Sequence, residues 1–180
     1  MIFRALSLLL VLAPTVALCQ TPDFGGTWRL DEQRSRVSLE ATLAGLIGAG
    51  APATLHITQP TNGTLVIESQ INESHARLYV PGGSTTTPVF LGEAGTITMA
   101  TRWEGQTLVN EGTRDSPSAA STQVKEVFAI DAEGPTLAVE ITISTADGTS
   151  SSSLRYVRIQ NIGTCDSWPS PCKDFTRPNP

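Results

Sequence analysis

The stretch from Val124 to Ser144, VKEVFAIDAEGPTLAVEITIS, contains two runs in which apolar and polar side chains alternate. In the second run every other residue is apolar: Leu137, Val139, Ile141 and Ile143. Because successive side chains of a strand point to opposite faces, a period of two predicts one buried face and one wet face. The turn residues between the runs, Asp131 to Gly134, therefore predict an antiparallel hairpin.

The same period continues over most of the chain. We predict eight or nine strands: Gly26–Leu30, Ala53–Thr58, Thr64–Gln70, Ala76–Val80, Thr96–Trp103, Gln106–Thr113, Val124–Ile130, Thr136–Ser144 and Ser153–Gln160. Turn pairs such as Asn62-Gly63 and Glu104-Gly105 separate neighbouring runs, which favours an all-β antiparallel up-and-down meander. Closure into a barrel removes the two open edges of such a sheet, and an open or two-layer sheet is the alternative.

Three segments interrupt this period. Val37 to Ala51 has apolar residues at helical spacing together with several glycines, and it predicts a short helical insertion after the first strand. Pro81 to Pro88 and Asp115 to Ser121 are rich in Gly, Ser, Thr and Pro, and we predict that both are loops.

The N-terminus has the pattern of a secretory signal peptide, which we assign to residues 1–19. Arg4 precedes an apolar run from Ala5 to Leu18, which is too short to span a bilayer. Cleavage after Cys19 is favoured and cleavage after Ala17 is the alternative. A lipid anchor on Cys19 is less favoured, because a bulky leucine precedes that cysteine. The chain is therefore expected to be secreted or periplasmic, with no transmembrane segment.

Residues 161–180 form a Pro-rich tail that follows the barrel domain, residues 20–160. If Cys19 leaves with the signal peptide, Cys165 and Cys172 remain, an even number that suits an oxidising compartment. We predict a disulfide between them. A metal site is not expected, since two thiolates supply half of a zinc shell.

Composition and charge exclude several function classes. The 180 residues suit one domain, and a net charge of -5 provides no basic field for nucleic acid. No phosphate-binding loop and no G-x-S-x-G motif occur, and the two histidines, His56 and His75, fit surface positions on strands. We expect a monomer without a cofactor and without enzymatic activity.

The segment Asp23 to Leu30, DFGGTWRL, carries a G-x-W motif on the first predicted strand. It resembles the start of lipocalin-like (calycin) β-barrels, especially secreted bacterial proteins whose mature chains open D-F-x-G-x-W-x-L. The resemblance implies that Trp28 closes one end of the barrel and that Arg155 or Arg158 packs over its ring. The insertion after the first strand also resembles the helical lid of the fatty-acid-binding branch. The second lipocalin motif, T-D-Y, is absent.

A barrel of this size can hold one small apolar molecule. The candidate lining is Trp28, Ile97, Met99, Trp103, Phe128, Leu137, Val139 and Ile141, with Leu43, Leu46 and Ile47 as a lid. Glu126 shares the inward parity of Phe128, and it either orients a ligand or reaches water near a barrel end; we favour the second. The chain is thus expected to bind a small hydrophobic ligand. The alternative is an envelope scaffold with a filled barrel that acts through its loops and tail.

Overall fold

The computed structural model describes residues 21–38, 51–60, 63–69, 72–88, 95–117, 119–131, 134 and 136–160. They form an all-β antiparallel meander. Its ten strands are β1 (Gly26–Leu30), β2 (Thr54–Thr58), β3 (Leu65–Ser69), β4 (Asn72–Tyr79), β5 (Gly83–Pro88), β6 (Thr96–Glu104), β7 (Thr107–Ser116), β8 (Ala119–Ile130), β9 (Thr136–Thr145) and β10 (Gly148–Gln160). The predicted fold class is confirmed, with one strand more than expected.

The sheet is a nearly closed barrel with the strand order β4-β3-β2-β1-β10-β9-β8-β7-β6-β5. Strands that are neighbours in sequence pair with each other except β4 and β5, and β1 also pairs with β10, so the first and last strands lie side by side inside the sheet. The two edge strands are β4 and β5, which follow each other along the chain. The turn between them is fixed by the Gly83 amide, which donates to the Val80 carbonyl at 2.9 Å.

The additional strand is β5, and the prediction of a loop over Pro81 to Pro88 was wrong. Residues 83–88 pair with β6 in continuous register, from Gly83 opposite Thr101 to Pro88 opposite Thr96. Threonine is β-branched and has a high strand propensity, and the proline lies at the end of an edge strand, where a missing amide donor is tolerated. The predicted loop over Asp115 to Ser121 is also shorter, since β7 ends at Ser116 and β8 begins at Ala119.

Several sequence predictions fall outside the described residues. They concern the signal peptide, the helical insertion from residue 39 to 50, and the tail with its cysteines. Of the predicted insertion from Val37 to Ala51, the structure describes residues 37, 38 and 51, none of which is helical, and Arg36 just before it forms a bridge with Ser153 of β10. In the part of the chain that the structure describes, no helix has the length and hydropathy needed to cross a bilayer.

The inward faces of the strands form one apolar core, as the alternation predicts. Its members are Phe24, Trp28, Leu55, Ile57, Leu65, Ile67, Tyr79, Ile97, Met99, Leu108, Val124, Phe128, Leu137, Val139, Ile141, Ile143, Leu154 and Tyr156, each at most 3% exposed. Leu30, Trp103 and Ile130 are partly buried against it. Burial on this scale is the main source of the folding free energy of a sheet protein.

Trp28 is a fully buried member of this core. Its indole Nε1 donates to the Phe24 carbonyl at 2.9 Å, and the guanidinium carbon of Arg158 lies 4.5 Å from its ring centroid. Of the two arginines that the resemblance allowed, Arg158 is the one that packs over the tryptophan. Arg155 forms an ion pair with Glu140 at 2.7 Å instead.

The close approach of β6 and β7 at Gly112 can be tested by substitution. A Cβ at this position would collide with the Thr98 carbonyl oxygen and with the backbone of Met99. We expect Gly112→Ala to lower the free energy of unfolding by about 3 kcal/mol, because the two strands must move apart. Gly134→Ala is the matched control, since a Cβ there meets nothing within 4 Å, and it should change stability by less than about 0.5 kcal/mol. Urea unfolding measures both, and equal losses would contradict the described packing.

Candidate functional site

Three polar side chains lie side by side inside the barrel, on neighbouring strands of the same face. Thr101 on β6 is opposite Asn110 on β7, and Asn110 is opposite Glu126 on β8. All three are buried, and Glu126 has no exposed surface. We call these residues the polar row. A buried carboxylate is unfavourable unless donors or cations compensate it, so the surroundings of this row determine what the interior can accommodate.

The polar row is joined by hydrogen bonds to a side chain from the other edge of the sheet. Glu126 Oε2 accepts from Asn110 Nδ2 and from Tyr79 Oη, both at 3.0 Å. Thr101 Oγ1 donates to Asn110 Oδ1 at 2.8 Å, which fixes the orientation of the amide. Tyr79 lies at the end of β4, so its bond to β8 crosses the interior between strands that are far apart in the sheet order.

Arg77 precedes Tyr79 by two residues on β4 and lies on the same inward face, with 6% of its surface exposed. Burial lowers the pKa of Arg77 from its ordinary value, while the charges of Tyr79 and Glu126 oppose this shift. Burial, followed by the charge of Glu126, raises the pKa of Tyr79 well above its usual value. Tyr79 is therefore a protonated donor at neutral pH, and the buried charges of Arg77 and Glu126 attract each other.

Four hydroxyl groups of the described residues are buried without a hydrogen-bond partner. One belongs to Thr58 on β2, which follows the core residue Ile57 and so faces outward. The three inward ones belong to Thr85 and Thr87 on the edge strand β5 and to Tyr156 on β10. The register of β5 places both threonines on the same side as Met99 and Ile97, which belong to the core. A buried hydroxyl without a partner loses its hydration without compensation, and few such groups occur in folded proteins. These atoms can accept or donate a hydrogen bond when a polar group enters the barrel.

The structure places the described residues of the predicted lining in the interior. Trp28, Ile97, Met99, Phe128, Leu137, Val139 and Ile141 belong to the core, and Trp103 is packed against it. The phenyl ring of Phe24 lies 5.7 Å from the Trp103 ring, between centroids. Leu43, Leu46 and Ile47 lie outside the described residues. The favoured interpretation of Glu126 was wrong, since its carboxylate does not reach water and is bonded to Tyr79 and Asn110 instead.

The sequence analysis missed Arg77 and Tyr79. In Ala76 to Val80 the apolar residues are 76, 78 and 80, and that pattern places the two polar ones outside. The register decides otherwise, because Tyr79 lies opposite Leu65, a core residue of β3. The β3–β4 pairing contains a register shift between Ile67 and Ser69, which reverses the parity expected by counting from the turn, and no sequence signal marks it.

The histidines do not contribute to this site as far as the structure describes them. His56 Nδ1 lies 3.0 Å from the hydroxyl of Thr27. Its neighbours in sequence, Leu55 and Ile57, point into the core, so His56 faces outward. The side chain of His75 is outside the described residues. Within the described ranges, no group of three or more His, Cys, Asp or Glu side chains could hold a metal ion.

Comparisons with known proteins match the fold. No family model matches the chain, and no curated protein matches its sequence. A solved structure described as the REP1-NXSQ fatty acid transporter aligns with a TM-score of 0.50 and 10% identity, over 75% of this chain and 95% of that chain. The zebrafish ileal bile acid-binding protein, complexed with cholic acid, aligns with a TM-score of 0.49 and 17% identity, over 76% of this chain and 98% of that chain. The likeness to the first structure shows a shared barrel fold.

The two buried tyrosines provide a matched test of the polar row. Tyr79→Phe removes a donor from a buried carboxylate, and we expect it to lower the free energy of unfolding by about 1–3 kcal/mol. Tyr156→Phe removes a buried hydroxyl that has no partner, so this variant should be as stable as the original chain or more stable. Urea unfolding of both variants measures the difference. Equal losses would show that the Tyr79–Glu126 bond contributes nothing.

The same tyrosines predict a loss of stability in alkali. The chain has two tyrosines, and burial raises the pKa of each above its ordinary value. Their stabilising effect is complete below pH 10, where the unfolded state is also protonated, and is lost as the pH rises further. Because each tyrosine then ionises in the unfolded chain but not in the folded one, each should lower the free energy of unfolding by about 1.4 kcal/mol per pH unit above pH 10.

Absorbance at 295 nm and urea unfolding between pH 9 and pH 11 test this pH dependence. The folded chain should show no tyrosinate absorbance at pH 10.5. Tyr156→Phe is the control for lysine titration, because it changes one tyrosine and no lysine. Its stability should fall less steeply than that of the original chain, and identical slopes would contradict the burial of Tyr156.

Proposed function

We propose that this chain is a binding protein that holds a small apolar ligand inside its barrel. The observation that carries this proposal is the polar row with Arg77 and Tyr79, which is buried in an otherwise apolar interior. Ligand sites are typically apolar with a few polar groups that fix the orientation of the guest. The unpartnered hydroxyls of Thr85 and Thr87 add hydrogen-bonding capacity that the protein itself does not use.

The edge pair β4–β5 provides the route of entry. The strand order ends at these two strands, so separating them breaks no continuous ladder of hydrogen bonds. Arg77 and Tyr79 on one edge and Thr85 and Thr87 on the other border this opening. A protein of the same fold is described as a fatty acid transporter, which is consistent with an apolar guest.

A second candidate function follows from the packing of the interior. The described core side chains expose at most 3% of their surface, so they leave little surface inside the barrel open to water. This favours the alternative of a filled barrel that acts as an envelope scaffold through its surface. Binding of a guest requires instead that some of these side chains move outward, as separation of β4 from β5 would permit.

The proposed site of action is outside the cytoplasm. The apolar N-terminal run with its preceding arginine supports export, and the pair Cys165 and Cys172 supports an oxidising compartment. A secreted or periplasmic monomer is the form we propose, with a lipid anchor on Cys19 as the less favoured variant.

Native mass spectrometry of the chain purified from the organism that makes it tests these proposals. We expect a mass above that of the polypeptide, which is lost when the same sample is denatured. The denatured mass should correspond to a chain cleaved after Cys19 and lacking the two thiol hydrogens of a disulfide. Identical native and denatured masses, together with no uptake of an apolar fluorescent probe, would refute the binding function and favour the scaffold.

A pair of variants controls for non-specific uptake. Trp103→Ala removes a side chain packed against the core, and we expect it to weaken probe binding about 10-fold. Ile159→Ala removes an apolar side chain of β10 that is 51% exposed on the outer surface, and it should leave binding unchanged. Equal effects would indicate that the probe adheres to the outside of the barrel.

A further inference from the structure

The interior is balanced in charge. Among the buried side chains of the described part, the charged ones are Arg77 and Glu126. The negative charge of Glu126 stabilises the protonated form of Arg77. The same carboxylate also accepts hydrogen bonds from two uncharged donors, Tyr79 and Asn110. Another cation that contacts the core, Arg158, lies over Trp28 and within 3.8 Å of Asp23. The arrangement therefore needs no charged guest to neutralise it.

This balance discriminates between ligand headgroups. A carboxylate brought beside the polar row would add a second negative charge to a site that already holds Glu126. An ammonium group next to Arg77 would likewise add a second positive charge. Either leaves a net charge in a medium of low dielectric constant, which is unfavourable. An uncharged headgroup adds no net charge and therefore avoids this unfavourable free energy.

The unpartnered hydroxyls show where a headgroup would lie. Tyr79 and Gly83 are close to the turn between β4 and β5, and Arg77 and Thr85 each lie two residues further from it. Thr85 and Thr87 thus face the interior on the strand next to the opening, with no partner for either hydroxyl. A hydroxyl both donates and accepts, and so does the hydroxyl of an alcohol.

We propose that the barrel selects apolar molecules with an uncharged, hydrogen-bonding headgroup, such as long-chain alcohols, which Thr85 and Thr87 bind, and that Glu126 excludes the corresponding acids. This inference rests on the proposed binding function and specifies its ligand class. Glu126 acts as a specificity-determining residue, through its charge, and the two threonines contact the guest.

The experiment compares dodecanol with dodecanoate at pH 8, where the acid is ionised. Each is titrated against an apolar fluorescent probe bound to the full chain, and dodecanol is expected to displace the probe with at least 10-fold higher affinity than dodecanoate. Glu126→Gln keeps the shape of the side chain and removes its charge, so Arg77 is left without a buried counter-charge. In that variant dodecanoate should bind at least 10-fold more tightly than in the original chain, whereas dodecanol should change less than 3-fold.

Two further variants serve as controls. Glu140→Gln removes a carboxylate that pairs with Arg155, outside the core, and it should leave the ratio of the two affinities unchanged. Replacing Thr85 and Thr87 together by valine should weaken dodecanol about 10-fold and dodecanoate little. The comparison in the original chain does not depend on whether Glu126→Gln folds.

The outcomes separate the two proposals. If the original chain binds dodecanoate as tightly as dodecanol, the inference about the headgroup is wrong and the binding function stands. If neither molecule displaces the probe, and native mass spectrometry finds no guest, the binding function fails and the inference fails with it.

Discussion

The hydrogen bond from Tyr79 to Glu126 is the interaction on which the interior of this barrel depends. It joins β4, at one edge of the sheet, to β8, which is six places away in the strand order. The sheet has no continuous ladder between β4 and β5, so this bond links the two halves of the barrel from the inside. It also supplies a donor to a carboxylate that has no contact with water. One contact thereby compensates a buried charge and holds an edge strand in place.

The register of the strands determines where that charge lies. The residues that follow the polar row on one side, Leu108 and Phe128, are core residues that lie opposite each other. On the other side, Met99 and Val124 lie opposite Gly112 from its two neighbouring strands. The polar row is therefore enclosed between apolar layers, and no shift of one residue is tolerated, because such a shift would reverse every inward side chain.

The fold and the apolar lining were predictable from alternation, which is strong wherever one face of a strand is buried. The strand β5 was not, because Gly, Ser, Thr and Pro are typical of loops and its inward threonines carry no apolar signal. The inward position of Arg77 was not predictable from its own strand, where the apolar residues flank it. For Glu126 the parity was correct but the compensating donors come from distant strands, and sequence periodicity contains no information about contacts across the interior.

If the barrel binds a guest as proposed, the tight packing of its core makes the buried polar groups decisive for ligand selectivity. An apolar guest that displaces core side chains replaces one set of apolar contacts by another, and the gain from hydrophobic burial is small when the displaced groups were already buried. Hydrogen bonds to Thr85 and Thr87 are different, because those buried hydroxyls have no partner in the structure and would gain one in the proposed complex. The free energy of binding therefore depends on the match of the headgroup more than on the length of the apolar chain. A barrel packed in this way is expected to distinguish ligands by their polar ends.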